Sequence, residues 1–252
     1  MTEPIAVILA AGRGSRMREL TNDKPKCLLP LAGRPLLHWQ LEALKKAGLK
    51  QIAVVRGYKS HCLEGEFHAI DNPHWQSANM VRSLLCAFDD LEGKEILAAY
   101  SDIVYKPEHV KNLLAVDASI AVTYDSAWLD LWSLRNDNPL DDAETFHEEG
   151  GFLVEIGGKP RNLNEVRGQY MGLLKFSLPG IALVRRFVNG LPGPEADRLD
   201  MTGLLRGLLG DGAAIRTVPV SGGWCECDTE NDLRLYEQMS TTKGWLHDWR
   251  TD

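Results

Sequence analysis

The apolar run Ile5-Ala6-Val7-Ile8-Leu9-Ala10-Ala11 stops abruptly at Gly12-Arg13-Gly14. No other feature limits the fold as much. A continuous apolar run bounded by glycine is a strand buried on both faces, and such strands belong to sheets covered by helices on each side. The downstream pattern agrees. Pro35 can open a helix in which Leu37, Leu41 and Leu44 share one face, and Gly48 closes it. "QIAVVRG" reads as a second strand and "FHAID" as a third, with residues 60–66 ambiguous between them. Helical spacing returns through Met80, Leu84 and Phe88, followed by the strands "EILAAYSDI" and "ASIAVTYD". Alternating strands and helices predict an α/β fold with a Rossmann-like, mostly parallel mixed sheet flanked by helices.

The rhythm changes near residue 125. A polar, Trp-containing segment over 127–142 precedes a hairpin around Gly150-Gly151 and a turn at Gly157-Gly158. "QYMGLLKFS" resumes as a strand. Two helices, "LPGIALVRRFVNGL" and "MTGLLRGLLGDG", and two strands, "AIRTVPV" and "WCECD", follow, and Thr229 caps a last helix. The expected organisation is a single domain over 1–252. Residues of about 125–170 form a small β-containing insertion on its acceptor side.

With 252 residues, 44% of them hydrophobic, the chain can bury a sizeable core. It holds no apolar stretch of about 20 residues and no leader-like start, so a soluble cytoplasmic protein is expected. The five cysteines (27, 62, 86, 225 and 227) have no framework spacing and read as reduced thiols, with Cys225 and Cys227 on one face of a strand.

Net charge is −7, which argues against a nucleic-acid partner. Residues 13–34 nevertheless carry six cations against two acids. A basic loop in an acidic protein suits a small polyanion. Glycines after a buried strand let backbone N–H groups approach phosphate. Met17 occupies the third glycine position of a dinucleotide fingerprint, which disfavours a nicotinamide-dependent oxidoreductase. Arg16, with its planar fork, and Lys26, as a point charge, can instead hold several phosphate oxygens, as a nucleoside triphosphate requires.

"LAAGRGSRM" followed by "DKPKCLLPLAGRPLL" resembles the signature of nucleotidyltransferases that activate sugar phosphates and related substrates. "VVRGYK" resembles the second-strand motif of that superfamily. "NMVRSLLCA", "LAAYSDIVY", "GQYMGLLKFS" and "GGWCECDTENDL" resemble its phosphocholine and phosphonate cytidylyltransferase branch, with Cys227 at a position that is usually aliphatic. The resemblance implies a Mg²⁺-dependent transfer of CMP from CTP to the phosphate or phosphonate of a small acceptor, with release of pyrophosphate. Arg16 and Lys26 match the residues assigned to the phosphates. Nucleotide contacts are implied for Leu9, Ala10, Ala11, Gly12, Arg13, Gly14, Ser15, Arg16 and Lys26. For the base they are implied for Gly57, Tyr58, Ala78, Asn79 and Ser83. A helix-capping role for Ser77 or Asn79 is compatible with base contact.

Asp102 and Asp228 follow strands at the edge where ligands bind in open α/β sheets, and together they can share Mg²⁺. Each also reads alone as a helix-capping aspartate. With Arg16 and Lys26 they make the expected catalytic set. Trp132, Arg135, Tyr170 and Trp224 are the acceptor candidates, because aromatic faces among acids suit an ammonium group. Core tryptophans are the competing reading, and Arg135 or Arg161 can alternatively meet a carboxylate or the phosphoryl group. Other readings of the chain are a sugar-1-phosphate nucleotidyltransferase using another NTP and a non-catalytic nucleotide sensor. A homo-oligomer is compatible with the sequence.

Overall fold

The computed structural model describes residues 3–250; the outermost residues of the expected 1–252 domain lie outside them. In chain order the strands and helices are β1 (Ile5–Ala10), β2 (Pro30–Leu31), β3 (Arg34–Pro35), α1 (Leu36–Lys46), β4 (Ile52–Arg56), β5 (His68–Asp71), α2 (Met80–Asp90), β6 (Ile96–Tyr100) and β7 (Ile103–Tyr105). Then come α3 (Pro107–Leu114), β8 (Ile120–Asp125), α4 (Trp128–Arg135), β9 (Phe146–Glu149), β10 (Phe152–Ile156), β11 (Gln169–Phe176) and α5 (Leu178–Asn189). The chain closes with α6 (Gly193–Arg198), α7 (Met201–Gly210), β12 (Ile215–Val220), β13 (Trp224–Glu226) and α8 (Glu230–Met239).

Nine strands form one sheet in the order β5-β4-β1-β6-β11-β8-β12-β10-β9. The pairs β5/β4, β4/β1, β1/β6 and β8/β12 are parallel, while β11 runs against both its neighbours. This is the mixed, mostly parallel sheet that the alternation predicts. In β1, Ala6, Ile8 and Ala10 face one core, and Ile5, Val7 and Leu9 face the other. Period-2 alternation therefore buries every residue of this run, because each face of the sheet is covered.

Two features matter for the site. The segment read as polar contains α4, with Trp128 and Trp132 buried in the core. The β9–β10 hairpin extends the main sheet beside β12, where it walls the cleft described below. Among the described residues, no helix is long and apolar enough to cross a membrane.

Candidate active site

The loop after β1 is shaped by two opposed demands. Met17 is fully buried and anchors the loop to the core, which accounts for a large residue where the dinucleotide pattern needs glycine. Gly14 has φ 68°, and a Cβ there would lie 2.8 Å from Lys26 Cβ. Glycine thus supplies a left-handed turn and room for the lysine stem together. In Lys24-Pro25-Lys26 only the proline and the second lysine are buried; Lys24 remains in solvent.

Asp102 lies in the turn between β6 and β7, and Asp228 follows β13. β7 and β13 form an antiparallel ribbon with Glu226 opposite Ile103, and the Cys227 amide donates to the Asp102 carbonyl at 2.9 Å. This ribbon sets acids more than a hundred residues apart in sequence side by side. Neither acid caps a helix. Thr229 caps α8, and Asp232 Oδ2 accepts from the Asp228 and Thr229 amides at 3.0 and 2.8 Å, so the Asp228 carboxylate takes no part in the cap. Trp224 and both neighbouring cysteines are buried, so β13 is covered on both faces rather than one.

Lys26 Nζ donates to Asp102 Oδ2 at 2.6 Å and to Asp228 Oδ1 at 2.8 Å, and Arg16 Nη1 donates to Asp228 Oδ2 at 2.8 Å. The structure thus brings the four predicted catalytic residues together. Burial pulls the Lys26 pKa down, but the charges of Asp102 and Asp228 and their hydrogen bonds more than reverse this and raise it. Burial raises the Asp228 pKa; the Lys26 charge and hydrogen bond, then Arg16 and Arg135, outweigh it and hold the carboxyl below its ordinary value.

Glu226, which the sequence reading did not single out, completes a cluster in which Asp102, Glu226 and Asp228 each offer an oxygen within 4.8 Å of the others. Burial, and then the Asp228 charge, push the Glu226 carboxyl well above the usual carboxylate range. Asp102 Oδ1 is buried without a hydrogen-bond partner. Three crowded oxygen donors, one of them unsatisfied, fit a hard divalent cation such as Mg²⁺. The alternation of Trp224, Glu226 and Asp228 along "WCECD" was the available sequence signal for Glu226.

Two adjoining hollows meet at Arg16, Asn79 and Met80. The first, about 250 Å³, is lined by Leu9, Ala11, Gly12, Gly14, Ser15, Arg16, Lys26, Ala78, Asn79 and Ser83 from the expected nucleotide set. Trp75 and Ser101, which the sequence reading missed, also line it. Asn79 is the N-cap of α2, accepting from the Met80 amide, as the capping reading anticipates. Four expected residues do not line this hollow. Ala10 points to the opposite core by strand alternation. Arg13 is exposed, bonding Asn22 and lying over the Tyr58 ring. The Tyr58 hydroxyl donates to the Thr21 or Asn22 carbonyl, which tethers the glycine loop from behind. Gly57 packs beneath Trp75, where a Cβ would lie 2.5 Å from the Trp75 Cβ.

The second hollow, about 310 Å³, is lined by Tyr100, Trp132, Tyr170 and Gly172, by Thr145, Gln169 and Thr202, and by Asp142, Glu144, Asp200, Glu226 and Asp228. Trp132 and Tyr170 thus face it, as expected. Trp224 does not: it is fully buried, with its indole N–H donating to Asp125 Oδ2 at 2.8 Å. Arg135 is also absent from the wall, because its guanidinium is buried among carboxylates. Arg161 is exposed and paired with Glu165.

A family model described as the MobA-like NTP transferase domain matches residues 6–151. A CTP:phosphoglutamine cytidylyltransferase of Campylobacter jejuni is 34% identical over 247 residues, spanning 91% of this chain and 98% of its own. A 2-aminoethylphosphonate cytidylyltransferase of Lancefieldella rimae is 35% identical over 111 residues, 42% of this chain and 45% of its own. The inositol-1-phosphate CTP transferase of T. maritima shares the fold, with a TM-score of 0.72 at 16% identity over 94% of this chain and 96% of its own.

Proposed function

The chain belongs to the MobA-like NTP transferases, and on that premise we propose that it is a cytidylyltransferase acting on a small phosphorylated or phosphonate acceptor that carries an amino group. An acceptor oxygen attacks the α-phosphorus of CTP, the bond from that phosphorus to the bridging oxygen breaks, and pyrophosphate leaves with the electron pair. The observation that carries this reading is the position of Arg16, Lys26, Asp102 and Asp228 around the junction of the two hollows.

Each hollow suits one substrate. The glycine loop, Arg16 and Lys26 line the first and suit a triphosphate; Lys26, on its flexible stem, reaches phosphate oxygens from the cleft wall. Asp102, Glu226 and Asp228 would hold Mg²⁺, which neutralises the α-phosphate when bound. No side-chain nucleophile is required, since charge neutralisation and in-line alignment carry the rate. Asp142, Glu144 and Asp200 supply the negative wall of the second hollow. Partial burial, and then the Asp200 charge, raise the Glu144 carboxyl, so these acids gain from an incoming ammonium. CTP is supported by the cytidylyltransferase relatives, and an amino acceptor by the chemistry of this wall.

The test is a pyrophosphate-release matrix: CTP, UTP, ATP and GTP against phosphoglutamine, 2-aminoethylphosphonate, phosphocholine and hexose 1-phosphates. Turnover with CTP and an amino acceptor is expected. Thr145, Gln169 and Thr202 also suit hydroxyls, so preferred turnover with a hexose 1-phosphate would replace this reading by that of a sugar nucleotidyltransferase. Silence across the matrix would remove the catalytic reading.

A further inference from the structure

Arg135 ends α4 with its side chain 4% exposed, facing four carboxylates. Its Nε donates to Asp232 Oδ1 at 3.2 Å, and Nη2 lies 3.4 Å from Asp142 Oδ2 and 3.8 Å from Asp228 Oδ2. Nη1 has no hydrogen-bond partner; it lies 3.7 Å from Glu226 Oε2. The guanidinium sits over the Trp132 ring, 4.8 Å from its centroid. A side chain stacked, buried and paired in this way cannot swing into the cleft.

Asp102, Glu226 and Asp228 would repel one another without counter-charge. Three cations supply it: Arg16 at Asp228, Lys26 at Asp102 and Asp228, and Arg135 at Glu226 and Asp228. They differ in freedom. Lys26 lines the nucleotide hollow on a flexible stem, so its hydrogen bonds can pass to phosphate. Arg135 lines neither hollow. It also acts through Asp232, whose other oxygen holds the Asp228 and Thr229 amides. Arg135 therefore bears on the Asp228 backbone through Asp232 and on its carboxylate from behind, beside the direct bonds of Lys26 and Arg16.

We propose that Arg135 is a positioning residue for the carboxylates that would hold the divalent cation, the fixed counter-charge that keeps Asp228 and Glu226 aimed at one point. This rests on the metal reading above. Residues that orient metal ligands are worth roughly 10- to 100-fold in metal affinity. Arg135→Lys keeps the charge and loses the planar fork; Arg135→Gln loses the charge.

The experiment titrates Mn²⁺ into the full-length protein with CTP present and follows the signal of the free ion, alongside melting curves and CTP affinity in EDTA. Both variants are expected to weaken Mn²⁺ binding about 10- to 100-fold, Arg135→Gln more than Arg135→Lys, with CTP affinity in EDTA within about twofold of wild type. A folded Arg135→Lys protein with wild-type Mn²⁺ affinity would overturn the proposal and leave Arg135 a purely structural residue. A fall in CTP affinity in EDTA would overturn it too, making Arg135 a nucleotide contact. If wild type binds Mn²⁺ no better than Asp102→Asn, the metal reading itself fails and takes this inference with it.

Discussion

Lys26 and Asp228, 202 positions apart in the chain, form a 2.8 Å ion pair in which each side chain is 8% exposed. Burying two charges costs more than their attraction returns unless further hydrogen bonds complete the geometry. Asp102, Arg16 and Arg135 provide that completion here. A buried, strongly coupled charge cluster opening on a cleft is the pattern expected of a site kept for chemistry rather than for stability.

Lys26→Ala leaves Asp102 and Asp228 buried without their shared cation. Stability is expected to fall by about 3–5 kcal/mol. Turnover of the folded protein is expected to fall roughly 10²-fold or more. Denaturant melts and kcat measured below the melting range check the two effects separately. Wild-type kcat in a folded Lys26→Ala protein would remove Lys26 from the reaction.

Asp102→Asn and Asp228→Asn keep side-chain volume and lose a hard anionic ligand. Each is expected to raise the Mg²⁺ concentration for half-activation by at least roughly tenfold, with the fold retained in the melting curve. Unchanged Mg²⁺ titrations in both variants would mean that these acids serve Lys26 and not a cation.

Trp132 is core and cleft wall together: it is 3% exposed, its ring is 6.1 Å from Trp128 and 6.2 Å from Trp224, and one side meets the second hollow. Trp132→Ala is expected to cost about 3–5 kcal/mol of stability, which a melting curve reads directly. Tyr170→Phe is the narrower probe of the acceptor, because it removes only a buried hydroxyl, which is hydrogen-bonded to Tyr100. Losing that bond should cost about 1 kcal/mol of stability. An acceptor KM that increases several-fold, about 1 kcal/mol, with the CTP KM unchanged would assign that hydroxyl to the acceptor.

The two loop glycines should respond differently. Gly14→Ala must pay about 1–2 kcal/mol for its left-handed backbone and also displace the Lys26 stem, so kcat should fall with stability. A Cβ on Gly12 meets nothing within 4 Å, and its φ is not in the left-handed region. Gly12→Ala should therefore fold like wild type. Comparable melting losses in the two variants would show that contact with Lys26 does not set the role of Gly14.

Burial, and then the Lys106 charge, push the His109 imidazole from 6.5 down to about 4. Between those values the unfolded chain binds the proton and the folded one does not. The stability contribution is therefore complete above pH about 6.5 and lost as pH falls toward about 4, by about 3 kcal/mol in all. His109→Gln should show a smaller loss over the same window in denaturant melts at stepped pH. An identical acid slope would exclude His109 as its source.

The sheet was legible because its signals are local. β1 announces itself as an apolar run stopped by glycine, and α8 by the Thr229 cap, to which the structure adds Asp232 in a capping box. The glycine loop after β1 was legible for the same reason, being nine consecutive residues of Leu9–Met17. The helix α4 was not. Asp130, Arg135 and the following acids make its surroundings read as polar, while Trp128 and Trp132 turn inward on partners that sequence spacing does not name. Arg135 and Trp224 lie away from the second hollow for the same reason: residue type suggested cation and aromatic chemistry, and packing placed both side chains in the interior.

By itself the sequence determined what periodicity and neighbouring residues control: an α/β sheet, a glycine loop bearing Arg16 and Lys26, and acids beyond two strands. Only the tertiary structure decided which distant groups meet. The β7–β13 ribbon sets Glu226 and Asp228 beside Asp102, Lys26 bridges two of these acids, and Arg135 backs them from inside. The physical reason is that a pairing register between strands more than a hundred residues apart is fixed by the packing of the whole sheet, whereas local propensity extends only a few residues along the chain.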